Sequence, residues 1–201
     1  VLSCPYEAAK ARLVLREMAD QLSLELVEKR LVTDQLVLTV GYDIENLTRP
    51  EIRKVYKGPV TTDRYGRRVP KHAHGTWNLP RATSSSSELL EAMAALYDKI
   101  VNPALLIRRM SLSACHVVNE KMAKEREQKE TFEQLDLFTD YAKKEAKEKE
   151  EQKKRERERR MQEALLTIKK KYGKNAVLRG MNFEEGATAK ERNGQIGGHQ
   201  A

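Results

Sequence analysis

Between residues 49 and 74 the chain places Arg49, Arg53, Lys54, Lys57, Arg64, Arg67, Arg68 and Lys71 against only Glu51 and Asp63, a local charge of +6. His72 and His74 adjoin the cluster, and the rings of Tyr56 and Tyr65 interleave with the cations. Gly58-Pro59 and Tyr65-Gly66 mark turns, so the segment reads as an exposed basic loop or hairpin. A polyanion is its natural partner, because each phosphate neutralised releases counterions. The alternative is a solvated loop with no ligand. A second cluster has the opposite character. Gln134-Leu135-Asp136-Leu137-Phe138 sets three large apolar residues in an acidic neighbourhood with no helical stripe to join. Exposed apolar clusters on a solvated segment mark a partner's pocket. A satellite contact against the chain's own core is the other reading.

Other reactive residues do not assemble into known chemistry. Cys4, Cys115, His72, His74, His116 and His199 lack the Cys-x-x-Cys or His-x-x-x-His spacing of a metal site. No Gly-rich phosphate loop ending in Lys-Ser/Thr occurs, and no nucleophile elbow. The acids before residue 119 are scattered, whereas a two-metal nuclease needs them clustered on strands. Trp77 reads as half-buried packing, with stacking on a base as the alternative.

The elements that position these residues follow from periodicity. Ser3, Pro5 and Glu7 open a helix, and Ala8, Ala11, Leu15, Met18 and Leu22 give it one apolar face. The period then changes: Leu24, Leu26 and Glu28 lead through Arg30 to a turn at Leu31-Val32-Thr33-Asp34, and Gln35 to Tyr42 alternates. Those two runs predict an antiparallel hairpin. Gly75 to Leu79 is expected as a further strand ending at Pro80. Ser85 and Glu88 have capping-box spacing and begin a second helix, with Leu89, Met93, Leu96 or Tyr97, and Ile100 inward. Asn102-Pro103 ends it, and Leu105 to Val118 can hold a last strand. Two helices on one face of an antiparallel sheet make an α+β sandwich. With Val1-Leu2 as the stub of a truncated first strand, the order approaches βαββαβ.

The 201 residues are 39% hydrophobic and 34% charged, with 38 basic and 30 acidic side chains and a net charge of +8. That is too polar for one core running end to end. Four segments are expected: a folded domain over 1–118, a linker over 119–140 that holds the pentapeptide, a charged helix over 141–172, and a flexible tail over 173–201. The charged helix has i,i+4 pairs such as Glu151–Arg155 but no heptad seam through residues 142–160. Only Met161, Leu165, Leu166, Ile168 and Tyr172 give it a short apolar face. No membrane-spanning stretch or signal peptide is visible, and two cysteines make no disulfide framework. A reducing, cytoplasmic setting is expected. The chain opens on Val1, not Met, and reads as a piece of a longer protein.

These residues resemble a known family. Gln134-Leu135-Asp136-Leu137-Phe138 matches the pentapeptide by which bacterial polymerases and repair factors bind the sliding clamp. The runs AAKARLVLREMADQLSLELVEKRLVTDQLVLTVGYD and KHAHGTWNLPRATSSSSELLEAMAALYDKIVNPALLIRRMSLSACHVV look like the little-finger domain of Y-family translesion DNA polymerases, UmuC-like branch. The closing YGKNAVLRGMNFEEGATAKERNGQIGGHQA looks like the tail of that branch. The resemblance implies a βαββαβ domain whose sheet lies on the primer–template, in an SOS-response, damage-bypass context. By that likeness Gln134 bonds at the pocket edge, Leu137 and Phe138 fill the cleft, and Leu135 and Asp136 support them. The family's palm and fingers are absent, so this piece is expected to bind DNA and tether as a monomer, without a cofactor and without polymerising. The parent would be a DNA-directed DNA polymerase using Mg2+.

A little finger holds backbone phosphates, which fixes position without reading sequence. The candidate contacts are Lys29, Arg30, Arg108 and Arg109 on strands, and Arg64, Arg67, Arg68 and Lys71 in the loop. The helix start at Thr83, Ser84 and Ser85 is a ready phosphate site. Arg108 and Arg109 are adjacent on a strand, so at most one faces DNA. Two rival readings remain: a general nucleic-acid-binding module with a basic tail, and a scaffold whose charged helix is the working part.

Overall fold

A computed structural model describes residues 1–133, 141–196 and 199–200, with side chains described for 1–127 and 149–195. The pentapeptide Gln134–Phe138 lies outside the described residues. The first element is α1 (Ala8–Glu28), followed directly by β1 (Leu31–Tyr42). The hairpin expected over residues 24–42 is therefore not formed. Leu24 and Leu26 alternate like a strand, but Ala11, Leu15, Ala19, Ser23 and Val27 recur every fourth residue and are all buried. That helical stripe outlasts the short period-two signal. The helix then stops without glycine: Arg30 takes φ 58°, and its N–H bonds the Val27 carbonyl at 3.2 Å. Because Arg is an uncommon residue in this left-handed conformation, the stop is hard to see in the sequence.

Strand β1 is the centre of the sheet. The chain next forms two short helices, α2 (Glu45–Thr48) and α3 (Pro50–Val55). A small hairpin of β2 (Val60–Thr62) and β3 (Arg68–Pro70) follows within the basic segment. Gly66 supplies its left-handed turn residue at φ 79°. Then β4 (Ala73–Thr83) pairs antiparallel with one edge of β1, and β5 (Ile107–Cys115) with the other. The expected stop at Pro80 is overrun. β4 is an edge strand, and between Thr33↔Thr83 and Gln35↔Asn78 one residue of β1 opposes four of β4. In that bulge a proline needs no donor.

Beyond β5 lies the N-terminal segment: the Leu2 N–H bonds the Arg108 carbonyl at 2.9 Å, and Tyr6 and Ile107 exchange bonds at 2.8 and 2.9 Å. This is where the first strand of a βαββαβ unit belongs. Helix α4 (Ser86–Ile100) packs beside α1 on the same face of the sheet. Leu15, Leu36, Leu38, Leu89, Met93, Leu96 and Ile107 fill the space between, none more than 1% exposed. Gly75 allows the close approach of α4, since a Cβ there would sit 3.0 Å from Leu96 and Ile100. Trp77 packs half-buried on the same core. The fold is α+β, an antiparallel sheet covered by helices.

After β5 the chain turns at His116, makes β6 (Val118–Asn119) against the head of β1, and continues as α5 (Glu120–Glu133) and α6 (Tyr141–Tyr172). The composition predicts a flexible tail over 173–201, but its described part docks on α1. A second stripe of α1, formed by Lys10, Leu13, Glu17, Asp20, Leu24 and Glu28, lies on the opposite side of that helix from the core. Glu17 is 2% exposed. Its carboxylate accepts from Asn182 Nδ2 (2.9 Å), the N–H groups of Thr188 (2.9 Å) and Ala189 (3.0 Å), Thr188 Oγ1 (3.2 Å) and Arg192 Nη2 (3.4 Å). Lys10–Glu185, Asp20–Arg179 and Glu28–Lys170 pair along the same stripe at 2.5, 2.7 and 2.9 Å. The tail is held largely through polar groups, with Met181 alone of its hydrophobic residues buried among the described residues, which is why its low apolar content says little about its order. Among the described residues no helix is long and apolar enough to cross a membrane, and both cysteines are free.

Candidate nucleic-acid interface

With α1 and α4 on one face, the described residues leave the other face of the sheet open. The pleat decides what it shows. From β1 come Gln35, Val37 and Thr39, alternating with the core residues Leu36, Leu38 and Val40. From β4 come His74, Thr76 and Asn78, all exposed, and from β5 come Arg109, Ser111 and Ser113, also exposed. The registers Gln35↔Asn78, Val37↔Thr76, Thr39↔His74 on one side and Val37↔Ser113, Thr39↔Ser111, Gly41↔Arg109 on the other put them in common rows. Two rows are tied: Gln35 Nε2 donates to Asn78 Oδ1, and Thr39 Oγ1 and His74 Nδ1 share a hydrogen, each at 2.9 Å. The three strands contain one carboxylate, Asp34. It stands at the bulge and is engaged by His116 Nδ1 at 2.9 Å. The open face is polar, hydroxyl-rich and free of negative charge at its centre.

The two adjacent arginines separate as the pleat requires. Arg109 stands opposite Gly41 on the open face, and no protein group pairs with it among the described residues. Arg108 is the extra residue of a bulge between Gly41 and Tyr42 and turns away. Its Nη1 donates to the Ser3 carbonyl at 3.1 Å, and its Nε lies 3.8 Å from Asp43.

The basic hairpin stands at the end of the sheet where β1 finishes and β4 begins. Asp63 organises its turn, accepting from the N–H groups of Tyr65 (2.8 Å) and Arg67 (3.0 Å) and from Arg67 Nε (2.9 Å). The hydrogen bond from Arg67 holds the Asp63 carboxyl below the usual carboxylate range. Arg64 and Arg67 sit 4.6 and 5.1 Å from the Tyr65 ring centroid, and Arg64 also touches the Tyr65 hydroxyl. Arg68 and Lys71 are exposed, with no side-chain partner among the described residues. Two of the four loop cations thus shape the hairpin, and two point free charge at solvent.

Lys29 and Arg30 occupy the opposite end of the sheet, in the turn between α1 and β1; neither is a strand residue as the sequence reading had it. Arg30 Nη1 lies 3.6 Å from Glu163 of α6. The helix start at Thr83–Ser85 is near the same end. Ser85 is the N-cap, its hydroxyl accepting from the Glu88 N–H, while Thr83 and Ser84 are buried. The Glu88 carboxylate goes to Arg81 and leaves the capping box half made. The outward donors of this helix start are already taken. Glu158 of α6 accepts from Ser85 Oγ (2.7 Å), the Ser87 N–H (2.8 Å) and Ser87 Oγ (3.0 Å). Arg159 Nη1 and Gln162 Nε2 bind Ser84 Oγ and the Ser84 carbonyl beside it, at 3.1 and 3.0 Å.

Residues 5–137 match the model of the impB/mucB/samB family C-terminal domain. The chain belongs to that family. Neither the curated proteins nor the solved structures give a match. The impB/mucB/samB C-terminal domain is the C-terminal domain of Y-family, UmuC-like DNA polymerases, which act in DNA damage tolerance. DNA binding is implied by that membership.

For this member, the residues that sequence reasoning missed are the uncharged ones on the open face. Their signal was present as the off-phase of each strand: Gln35, Val37, Thr39; then His74, Thr76, Asn78; then Ser111, Ser113. A search for cations passes over them. Among the described residues no group of three or more His, Cys, Asp or Glu side chains could hold a metal ion.

Proposed function

We propose that this chain holds the primer–template backbone for a Y-family translesion polymerase, without reading sequence, and tethers it to the sliding clamp through Gln134–Phe138. The observation that carries the first half is the open sheet face in a member of this polymerase family. Hydroxyl and amide side chains there can donate to phosphate oxygens, Arg109 adds a free cation, and the one carboxylate of the three strands, Asp34, is engaged by His116 at the bulge. Arg68 and Lys71 at one end of the sheet, with Lys29 at the other, extend the positive field along the duplex. On this face the amides able to read a base edge, Gln35 and Asn78, are bonded to each other, and Arg109 is a bidentate donor. Such a face suits damaged and intact template alike.

The tether rests on the match of Gln134-Leu135-Asp136-Leu137-Phe138 to the clamp pentapeptide, placed just after α5. Titrating the 201-residue protein against duplex DNA tests the first half. About five phosphate contacts predict a slope of log affinity on log salt of roughly −4 to −5. A slope near zero, or a strong preference for one sequence, contradicts backbone gripping. For the tether, Leu137→Ala with Phe138→Ala abolishes clamp binding and leaves duplex binding intact. Unchanged clamp affinity in that variant removes the pentapeptide from the reading.

A further inference from the structure

Leu165 and Leu166 of helix α6 are half-buried, and charged and amide side chains make its hydrogen-bonded contact with the folded domain. Met161 and Tyr172 stay 51% and 67% exposed, while Glu158, Arg159, Gln162, Glu163 and Lys170 reach inward. Two of these inward groups are carboxylates, and both lie on groups suited to hold phosphate. Glu158 fills the N-terminus of α4, where the Ser87 N–H and the hydroxyls of Ser85 and Ser87 converge on its two oxygens. Glu163 sits 3.6 Å from Arg30 and 3.1 Å from Arg159. A helix N-terminus favours any anion, and a carboxylate with three donors is a close chemical substitute for a phosphate with the same donors.

We infer that α6 is an internal competitor for DNA: Glu158 and Glu163 occupy two backbone-phosphate positions at the α4 N-terminus and at Arg30, and bound duplex exchanges them for phosphates. This inference rests on the duplex-gripping reading above and adds a regulation to it. The exchange is nearly balanced in hydrogen bonds, because the same donors meet an oxyanion before and after. The polar part of the α6 contact is weakened by salt. Arg159, in the same helix, donates to Glu120 at 3.0 Å as well as to Ser84 and ties α6 to the domain beside Glu158.

The test compares duplex binding by the full chain, by Glu158→Ala/Glu163→Ala, and by Glu150→Ala/Glu156→Ala, a variant of equal charge on the exposed part of the same helix. The inference expects the first variant to bind duplex about 3–10-fold more tightly at low salt, with a slope steeper by one to two. The control variant should keep the wild-type slope. Hydrogen exchange of residues 155–168 in the wild-type chain should rise when duplex is added. If both variants behave alike, or if the first leaves affinity and slope unchanged while the wild type binds duplex, the competitor role is overturned. If the wild type shows no salt-dependent duplex binding at all, the gripping reading itself has failed. A circular-dichroism melt of each variant separates loss of binding from loss of fold.

Discussion

Arg108 and Arg109 carry the same charge and differ only in which way the strand turns them. Arg109, unpaired and opposite Gly41, is the residue whose removal should be felt by DNA. Arg109→Ala is expected to weaken duplex binding about 3–10-fold and to flatten the salt slope by roughly one, across sequences equally. Arg108→Ala loses a bond to the Ser3 carbonyl and a long ion pair to Asp43, both partly exposed. It should cost under about 1 kcal/mol of stability and leave the slope alone. Salt titrations of the two variants side by side check this. The alternation rule foresaw that at most one would face DNA, but choosing between them needed the bulge at Arg108, which has no signature in the sequence. Arg67 and Arg64 show the same limit. Composition counted them as free cations, whereas Asp63 and Tyr65, their neighbours in sequence, engage them.

Among the elements, the second helix was legible in detail: the Ser85 cap, the Leu89, Met93 and Leu96 face, and the stop before Pro103 all stand where the pattern put them. The α1–β1 boundary was not. Leu24 and Leu26 satisfy both a strand and a helix pattern over so few residues, and Arg30 replaces the glycine that would have announced the end. The two helices are also joined by charge. Arg12 Nε and Nη2 donate to the two oxygens of Asp98, each at 2.8 Å. That hydrogen bonding holds the Asp98 carboxyl below its ordinary value of 3.8. A carboxyl depressed in the folded state stabilises above its unfolded pKa, and the contribution disappears as pH falls through the lowered value. Wild type should therefore exceed Asp98→Asn slightly in urea stability at neutral pH, because the pair is solvent-exposed. The two curves should converge only below pH 3.8. Convergence already at pH 6 would show that the pair contributes nothing.

At the scale of the whole molecule, α1 is a middle layer, with the sheet core on one side and α6 and the tail on the other. The outer stripe was in the sequence as Leu13, Glu17 and Leu24, yet a glutamate reads as solvent-facing until its partners, 165 residues or more away, are known. Burial lowers the pKa of the Arg192 guanidinium, with Glu17 opposing that shift. Glu17→Ala strands this cation and the N–H groups of Thr188 and Ala189. The expected cost is about 3 kcal/mol, or roughly 6–12 °C in thermal midpoint. A calorimetric scan decides it, and a midpoint within 2 °C of wild type would show that the tail contributes little to the fold. One consequence of the open face concerns travel. A surface of hydroxyls and amides with a single free guanidinium has almost the same energy at each successive nucleotide, so its friction along the duplex arises from charge, not from spelling. A domain of that kind should creep forward in even steps behind a growing primer end, and brine should lubricate it.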